Sequence, residues 1–165
     1  SRHVVLTGGE PMLFAEMIPL CNRLRAENYH ITVETAGTLH LPVQCDLMSI
    51  SPKTSNSAPD AIDHPRWNRR HERSRFVPHV IRQLLHDFNY QLKFVVDTED
   101  DIDEVEDYIK QFPEIVRAQV YLMPQGRNQD ELERTEAWLL PRCQQLQLQY
   151  CPRKQIEWFG ALKGS

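Results

Sequence analysis

The sequence lacks the features that mark membrane-spanning, secreted or strongly basic proteins. No apolar run approaches the roughly 20 residues of a transmembrane helix, and the N-terminus has no signal-peptide pattern. The formal net charge is −4 over 165 residues, so the surface as a whole lacks the basic footprint that phosphate binding needs. We therefore expect a cytosolic, cytoplasmic globular protein with one domain, residues 1–165, that binds no membrane and no nucleic acid.

The cysteines and histidines lack an arrangement that holds a metal. No two cysteines share the short spacing of a zinc or iron–sulfur site, and the histidines show no metal-ligand spacing. We predict free thiols in a reducing compartment and no metal site in this chain. The cysteines concerned are Cys21, Cys45, Cys143 and Cys151.

The chain opens with a short strand that runs into two adjacent glycines. A β-branched apolar run at 3–6 precedes Thr7-Gly8-Gly9-Glu10-Pro11, and an apolar helical period follows the proline. Glycine has no Cβ, so a ligand can lie against this backbone, and the amides of the next helix point toward it. The same pattern also fits a simple turn. Because the sequence starts with Ser1 rather than methionine, we expect that the front of the domain is missing.

Strands alternate with helices along the rest of the chain. This order predicts a parallel sheet with right-handed crossovers, and hence an α/β fold. Apolar patterns predict strands at 31–35, 47–50, 92–96, 120–123 and 146–150, and helices at 11–28, 76–89, from 100 onward and at 131–146.

One internal segment, residues 54–75, has a different character. It contains the basic run Arg69-Arg70-His71-Glu72-Arg73 and no apolar period beyond Trp67. We predict a long mobile loop here, either solvated or acting as a lid.

Polar residues or glycines stand at five strand tips. In parallel α/β sheets ligands bind at the carboxyl ends of the strands, so we expect these tips to line one ligand-binding site. They are Thr7-Gly8-Gly9-Glu10, Glu34-Thr35-Ala36-Gly37-Thr38, Ser51-Pro52-Lys53, Lys93 within its strand, and Pro124-Gln125-Gly126.

In this order the tips resemble one enzyme family. Thr-Gly-Gly-Glu-Pro at 7–11 resembles the motif with which radical S-adenosylmethionine enzymes hold the amino group of the cofactor's methionine. Together with Glu-Thr-Ala-Gly-Thr, Ser-Pro-Lys, Lys-Phe-Val-Val and Met-Pro-Gln-Gly, it resembles 7-carboxy-7-deazaguanine synthase. The tail at 151–160 is similar to that family's C-terminal signature. The resemblance implies a partial (β/α) TIM-like barrel of radical SAM type, with the first strand and the cluster loop absent.

The resemblance also implies a reaction and its cofactors. The enzyme would be a carbon–nitrogen lyase of queuosine and 7-deazapurine biosynthesis that contracts the ring of 6-carboxy-5,6,7,8-tetrahydropterin to 7-carboxy-7-deazaguanine and releases ammonia. S-adenosyl-L-methionine, a 4Fe–4S cluster and Mg²⁺ would supply the chemistry, while the protein positions the reactants. A flavodoxin-type reductant and a homodimer are the implied partners.

Particular residues match the family's binding motifs. Glu10 can accept charge-assisted hydrogen bonds from an ammonium group, and Glu34 can pair with adjacent N–H donors of a pterin edge. Taken alone, Glu34, Lys53 and Lys93 also fit solvated surface charges. By resemblance, the cofactor contacts are Gly8, Gly9, Glu10, Ser51, Lys53 and Gln125, and the substrate contacts are Thr7, Gly9 and Glu34.

The sequence departs from the family in two places. The family holds its cluster with a CxxxCxxC loop before the Gly-Gly-Glu-Pro strand, and this chain has neither that loop nor the threonine that helps to bind magnesium. We therefore predict that the chain as given binds no cluster and has no turnover. Gln155 stands where the family tail often has histidine, and we expect Trp158 and Phe159 to close the core.

Two other functions stay open. The first is a non-catalytic protein that binds S-adenosylmethionine, a pterin or only a partner. The second is another radical enzyme with Gly-Gly-Glu-Pro, such as a glycyl-radical activase, which would not account for Ser51-Pro52-Lys53 or Met-Pro-Gln-Gly.

Overall fold

The computed structural model describes residues 2–154 and 156. Contacts divide the chain into two compact units, the first formed by 1–53 and 57–92 and the second by 54–56 and 93–165. The single domain expected for residues 1–165 stays a prediction. Gln155, Trp158 and Phe159, to which the sequence assigns roles, lie outside the described residues.

The strands form a sheet whose order follows the chain. In the first unit, β1 pairs in parallel with β2, β2 with β3, and β3 with the start of β4. In the second unit, β5 pairs in parallel with β6. The parallel α/β fold class is therefore confirmed. The strands are β1 (His3–Leu6), β2 (His30–Thr35), β3 (Leu47–Ile50), β4 (Tyr90–Val96), β5 (Val120–Pro124) and β6 (Gln149–Tyr150).

Five α-helices connect or flank these strands in the described residues. None of them is long and apolar enough to cross a membrane. They are α1 (Met17–Ala26), α2 (Pro65–Ser74), α3 (Pro78–Asp87), α4 (Glu99–Lys110) and α5 (Gln129–Leu146), with 3₁₀ turns at Pro11–Leu13, Ser55–Ser57 and Arg117–Gln119.

The core of the first unit lies against the two central strands β2 and β3. Ile31, Val33, Met48 and Ile50 are fully buried, as expected of parallel strands that are covered on both faces. The apolar face of helix α3 is also buried in this core, and Leu84 on it is inaccessible to solvent. This packing fixes the carboxyl ends of the strands, where the polar tips follow.

The core of the second unit contains an aromatic cluster between β4 and α4. Tyr108 lies with its ring centroid 5.1 Å from that of Phe94 in an edge-to-face arrangement, and 5.1 Å from that of Phe112. Helix α4 begins where the carboxylate of Asp101 accepts hydrogen bonds from the amides of Asp97 (2.7 Å) and Thr98 (3.0 Å). Acceptors at a helix start satisfy amides that have no partner inside the helix.

Three predicted elements need correction. The helix at 11–28 is a 3₁₀ turn followed by α1, because Phe14 is extended between them (φ −111°). Ten residues of the predicted loop 54–75 form α2, which begins at Pro65 and buries none of its side chains, so it has no apolar period to detect. Whether the segment is mobile stays a prediction.

The third correction concerns the strand at 146–150, of which only Gln149–Tyr150 pairs in the sheet. Helix α5 continues through Leu146 and ends at Gln147, whose backbone is left-handed (φ 58°). The amide of Leu148 then donates to the carbonyl of Cys143 at 2.9 Å. The alternating leucines thus belong to a helix end that leads into the strand.

Candidate functional site

The carboxyl ends of β1, β2 and β3 surround a pocket of about 170 Å³ in the first unit. The three strands are parallel neighbours, so their tips meet at one edge. The pocket is smaller than the roughly 300–1,000 Å³ of whole small-molecule sites, so it accommodates a ring or one end of a ligand. Its lining residues are Thr7, Gly9, Glu34, Thr35, Ala36, Ser51 and Lys53.

Two glycines shape the turn after β1. Gly8 and Gly9 have positive φ angles of 100° and 57°, and a Cβ on either would meet no atom within 4 Å. The conformation, rather than crowding, therefore requires glycine. The open space beside both residues leaves their backbone accessible to a ligand.

The carboxylate of Glu10 joins this turn to the end of β2. Its Oε1 accepts hydrogen bonds from the Thr35 hydroxyl at 2.8 Å and the Met12 amide at 3.1 Å, and its Oε2 accepts one from the Ala36 amide at 2.9 Å. A carboxylate offers about four acceptor positions, so Oε2 retains capacity for a further donor. Glu10 is thus held in a fixed orientation beside the pocket.

Thr35 is a residue of this network to which the sequence pattern assigned no role. Its buried hydroxyl donates to Glu10 and accepts from the Gly37 amide at 3.0 Å. A threonine hydroxyl can accept a hydrogen bond from the amide two residues later in a local turn, and glycine is common in turns. The sequence pattern Thr35-Ala36-Gly37 could therefore have identified the role of Thr35.

Gly37 is required by both its conformation and its surroundings. Its φ is 75°, and a Cβ there would lie 2.5 Å from Cδ1 of Ile81 and 2.9 Å from Cγ2 of Ile50. The turn after β2 therefore packs closely on α3 and β3. The amide of Ser51 extends the β2–β3 pairing by donating to the Thr35 carbonyl at 2.7 Å.

Two predicted substrate contacts are hydrogen-bonded to each other. The hydroxyl of Thr7 donates to Oε2 of Glu34 at 3.0 Å, which links the tips of β1 and β2. Glu34 is half-buried, whereas the side chain of Lys53 on the third tip is exposed. The backbone carbonyl of Lys53 accepts from Nη1 of Arg75 at 3.1 Å. The pocket thus combines a held carboxylate with a solvent-facing cation.

Gln125 belongs to a pocket of about 370 Å³ in the second unit, which also includes Asp97, Arg127 and Arg134. The Nη2 atom of Arg153 donates to Oε1 of Gln125 at 3.2 Å. Burial lowers the pKa of this guanidinium below its ordinary value.

Glu131 lies in the same pocket, and hydrogen bonds, chiefly from the Arg127 amide at 2.7 Å, lower the pKa of its carboxyl group. Lys93 lies inside β4 and lines neither of these two pockets.

Comparison with known proteins finds named homologues. The chain is 42% identical over 165 residues to a 7-carboxy-7-deazaguanine synthase of Rhodopirellula baltica, with 99% of this chain and 64% of the relative covered. It is 36% identical to a 7-carboxy-7-deazaguanine synthase of Halobacterium salinarum, with 94% of this chain and 64% of the relative covered. The chain is therefore a homologue of proteins named 7-carboxy-7-deazaguanine synthase. No family model matches it.

Structural comparison supports the fold of this 7-carboxy-7-deazaguanine synthase homologue. The crystal structure of QueE from Escherichia coli matches with a TM-score of 0.63 and 20% identity, over 93% of this chain and 56% of that one. At this identity the match shows a shared fold. The chain spans 64% of the length of the two curated family members.

The cysteines Cys21, Cys45, Cys143 and Cys151 are free and partly or fully buried. Burial, followed by the nearby charges of Cys21 and Asp46, raises the pKa of Cys45 to about 12, and burial raises that of Cys143 to about 11. A raised pKa disfavours the thiolate, which is the form that binds metals. Among the described residues, no group of three or more His, Cys, Asp and Glu side chains has an arrangement that could hold a metal ion.

Proposed function

We propose that this chain forms part of the binding site for S-adenosylmethionine and a pterin in a radical carbon–nitrogen lyase of queuosine and 7-deazapurine biosynthesis. The reaction is the ring contraction of 6-carboxy-5,6,7,8-tetrahydropterin to 7-carboxy-7-deazaguanine with loss of ammonia. The observation that carries the proposal is one pocket, lined by Thr7, Gly9, Glu34, Ser51 and Lys53. The names of the relatives support the reaction.

The residues of the pocket fit the methionine end of S-adenosylmethionine. The open backbone at Gly8 and Gly9 and the remaining acceptor capacity of Glu10 suit an ammonium group. Lys53 supplies a cation for the cofactor's carboxylate and Ser51 a hydroxyl for its ribose. A contact of Gln125 with the adenosine stays a prediction, because Gln125 lines the pocket of the second unit. When bound, the cofactor supplies the radical chemistry that the ring contraction needs.

Glu34 is the proposed recognition group for the pterin. Thr7 fixes one of its carboxylate oxygens, so the group is oriented before the substrate arrives. Two adjacent N–H donors on the pterin edge would then pair with this carboxylate. A flat ring without those donors would make no such pairing with Glu34, and the site would discriminate against it.

The residues described here do not fit a 4Fe–4S cluster or a bound Mg²⁺. The cysteines are scattered, two of them have strongly raised pKa values, and no group of side chains has metal-binding geometry among residues 2–154 and 156. No step is therefore assigned to these groups. This observation favours a second candidate function for the chain by itself, which is to bind S-adenosylmethionine or a pterin without turnover.

The proposal also covers the reductant, the oligomeric state and the cellular compartment of the protein. Its proposed partners are a flavodoxin-type reductant and a second copy of the chain in a homodimer. The four free cysteines are in keeping with the reducing cytoplasm.

Equilibrium binding by calorimetry tests the proposal. Glu34→Gln should weaken binding of the pterin about tenfold, which is the loss of one charge-assisted pairing, and leave the affinity for S-adenosylmethionine unchanged. Glu16→Gln, an exposed carboxylate outside the pocket, is the matched control. Equal loss of both ligands in Glu34→Gln would contradict the assignment, as would the failure of the unaltered chain to bind either one.

A further inference from the structure

Helix α2 carries a stripe of four arginines on one face. Arg66, Arg69, Arg70 and Arg73 follow the i, i+3, i+4, i+7 spacing that places side chains on the same side of a helix. All four are exposed. At about 1.5 Å per residue, the stripe is roughly 10 Å long. We call these four residues the arginine stripe.

The opposite side of α2 attaches the helix to the first unit by polar contacts. Asn68 donates to the carbonyl of Pro59 at 2.8 Å, and Nε2 of His71 lies 3.1 Å from the hydroxyl of Ser57. At the C-cap, Arg75 donates to the carbonyl of Lys53 at 3.1 Å. The orientation of the helix is therefore defined, and the arginine stripe faces away from these contacts.

The arginine stripe has no acidic partner in the described part of the chain. Its recorded contacts are a bond from Nε of Arg69 to the carbonyl of Pro65 at 3.2 Å and the approach of Arg70 to the ring of Trp67. The nearby acid Glu72 pairs instead with Arg75 and His71. Like charges at these spacings repel, and α2 buries no side chain that would offset the repulsion.

An exposed aromatic ring lies beside the stripe. Trp67 is 59% exposed, and Cζ of Arg70 lies 5.6 Å from its ring centroid. Tryptophan and arginine are among the residues enriched at the energetic centres of protein–protein interfaces. The whole chain has a net charge of −4, so most of its surface repels a long polyanion, whereas a compact acidic face needs to cover only α2.

We propose that the arginine stripe and Trp67 form a docking surface for a partner protein that presents a cluster of Asp and Glu side chains. The partner's carboxylates pair with the guanidinium groups, and an apolar contact covers Trp67. Docking removes the repulsion within α2. Because Arg75 connects this helix to the backbone of Lys53, the partner would sit next to the pocket at the tips of β1 to β3. The inference does not depend on the reaction proposed above.

Fluorescence anisotropy with a labelled six-residue poly-glutamate peptide, roughly 20 Å long when extended, tests this surface. We expect binding at 50 mM salt that weakens as the ionic strength rises. Arg66→Glu with Arg70→Glu should weaken it at least about tenfold. The control, Arg23→Glu with Arg25→Glu on exposed positions of α1, changes the net charge by the same four units (two per substitution) and should weaken binding less than about twofold.

A second measurement covers the case in which a charge reversal unfolds α2. Trypsin cleaves after arginine, so the peptide should protect the stripe of the unaltered protein from cleavage and leave Arg23 and Arg25 as accessible as before. Absence of binding at low salt, equal loss in both charge variants, or protection of both regions alike would overturn the proposal. Tighter binding of a six-nucleotide poly-uridine than of the six-residue poly-glutamate would also overturn it, in favour of a nucleic acid.

Discussion

The hydroxyl of Thr35 donates to Oε1 of Glu10 at 2.8 Å and at the same time accepts from the amide of Gly37 at 3.0 Å. One buried side chain thus connects the turn after β1 with the turn after β2. Glu10 itself is the residue proposed to receive the ammonium group of S-adenosylmethionine. Thr35 is therefore a positioning residue, which acts on the cofactor site through Glu10.

Replacing Thr35 with valine keeps its volume and removes both hydrogen bonds. We expect a loss of roughly 1–3 kcal/mol in the free energy of unfolding and about tenfold weaker S-adenosylmethionine binding, because Glu10 loses one of its three donors. Thr35→Ser retains the hydroxyl and should restore the cofactor affinity. Chemical denaturation and calorimetry measure the two effects. Wild-type cofactor affinity in Thr35→Val would refute the positioning role.

Gly8 and Gly37, in the turns after β1 and β2, should respond differently to alanine. At Gly8 a Cβ meets no neighbour, so Gly8→Ala costs the roughly 1–2 kcal/mol of an unfavourable positive φ. Gly37→Ala adds a clash with Ile81 and Ile50 and should cost about 1–3 kcal/mol more. Urea denaturation of the two variants checks this order. Equal destabilisation would mean that the packing around Gly37 relaxes freely.

The sequence predicted most of the first unit because its signals are local. β-branched apolar runs identify β2 and β3, and parallel pairing of neighbouring strands places Thr7, Glu34 and Ser51 at one edge. The bond between Thr35 and Glu10 joins residues that are 25 positions apart, so it depends on the register of β1 against β2. No local pattern specifies that distance.

The missed helix α2 shows where hydrophobic periodicity fails. Its exposed face consists of arginines and its attached face of Asn68, His71 and Arg75, so no apolar stripe exists to be found. Pro65 at the first helical position was the available signal. The prediction of a strand from 146 was wrong for the opposite reason, since here a pattern was present but misleading. Leu146 and Leu148 alternate with polar residues as in a strand, although Leu146 is the last residue of helix α5.

Cys45 should titrate far above ordinary thiols. Its pKa is raised from 9.0 to about 12, chiefly by burial, so the folded state favours the neutral thiol. Burial of the neutral Cys45 thiol therefore contributes stability that is fully present below pH 9 and is lost as the pH rises toward 12. The rate of iodoacetamide labelling at Cys45, measured by mass spectrometry from pH 8 to 11, should stay low in the folded protein and rise in urea. Fast labelling of folded Cys45 at pH 8 would contradict the burial of this thiol.

Anaerobic reconstitution with iron and sulfide tests whether this chain holds a cluster by itself. We expect less than one cluster per chain. The treated protein should show no absorption band near 400 nm above that of the apoprotein treated without sulfide. The reason is that Cys21, Cys45 and Cys143 have raised pKa values and that no metal-binding group is found among the described residues. Binding of S-adenosylmethionine should nevertheless persist, since its proposed contacts at Gly8, Gly9 and Glu10 are independent of the thiols. A stoichiometric cluster that survives gel filtration, and that Cys→Ser changes abolish, would show that thiols of this chain serve as its ligands.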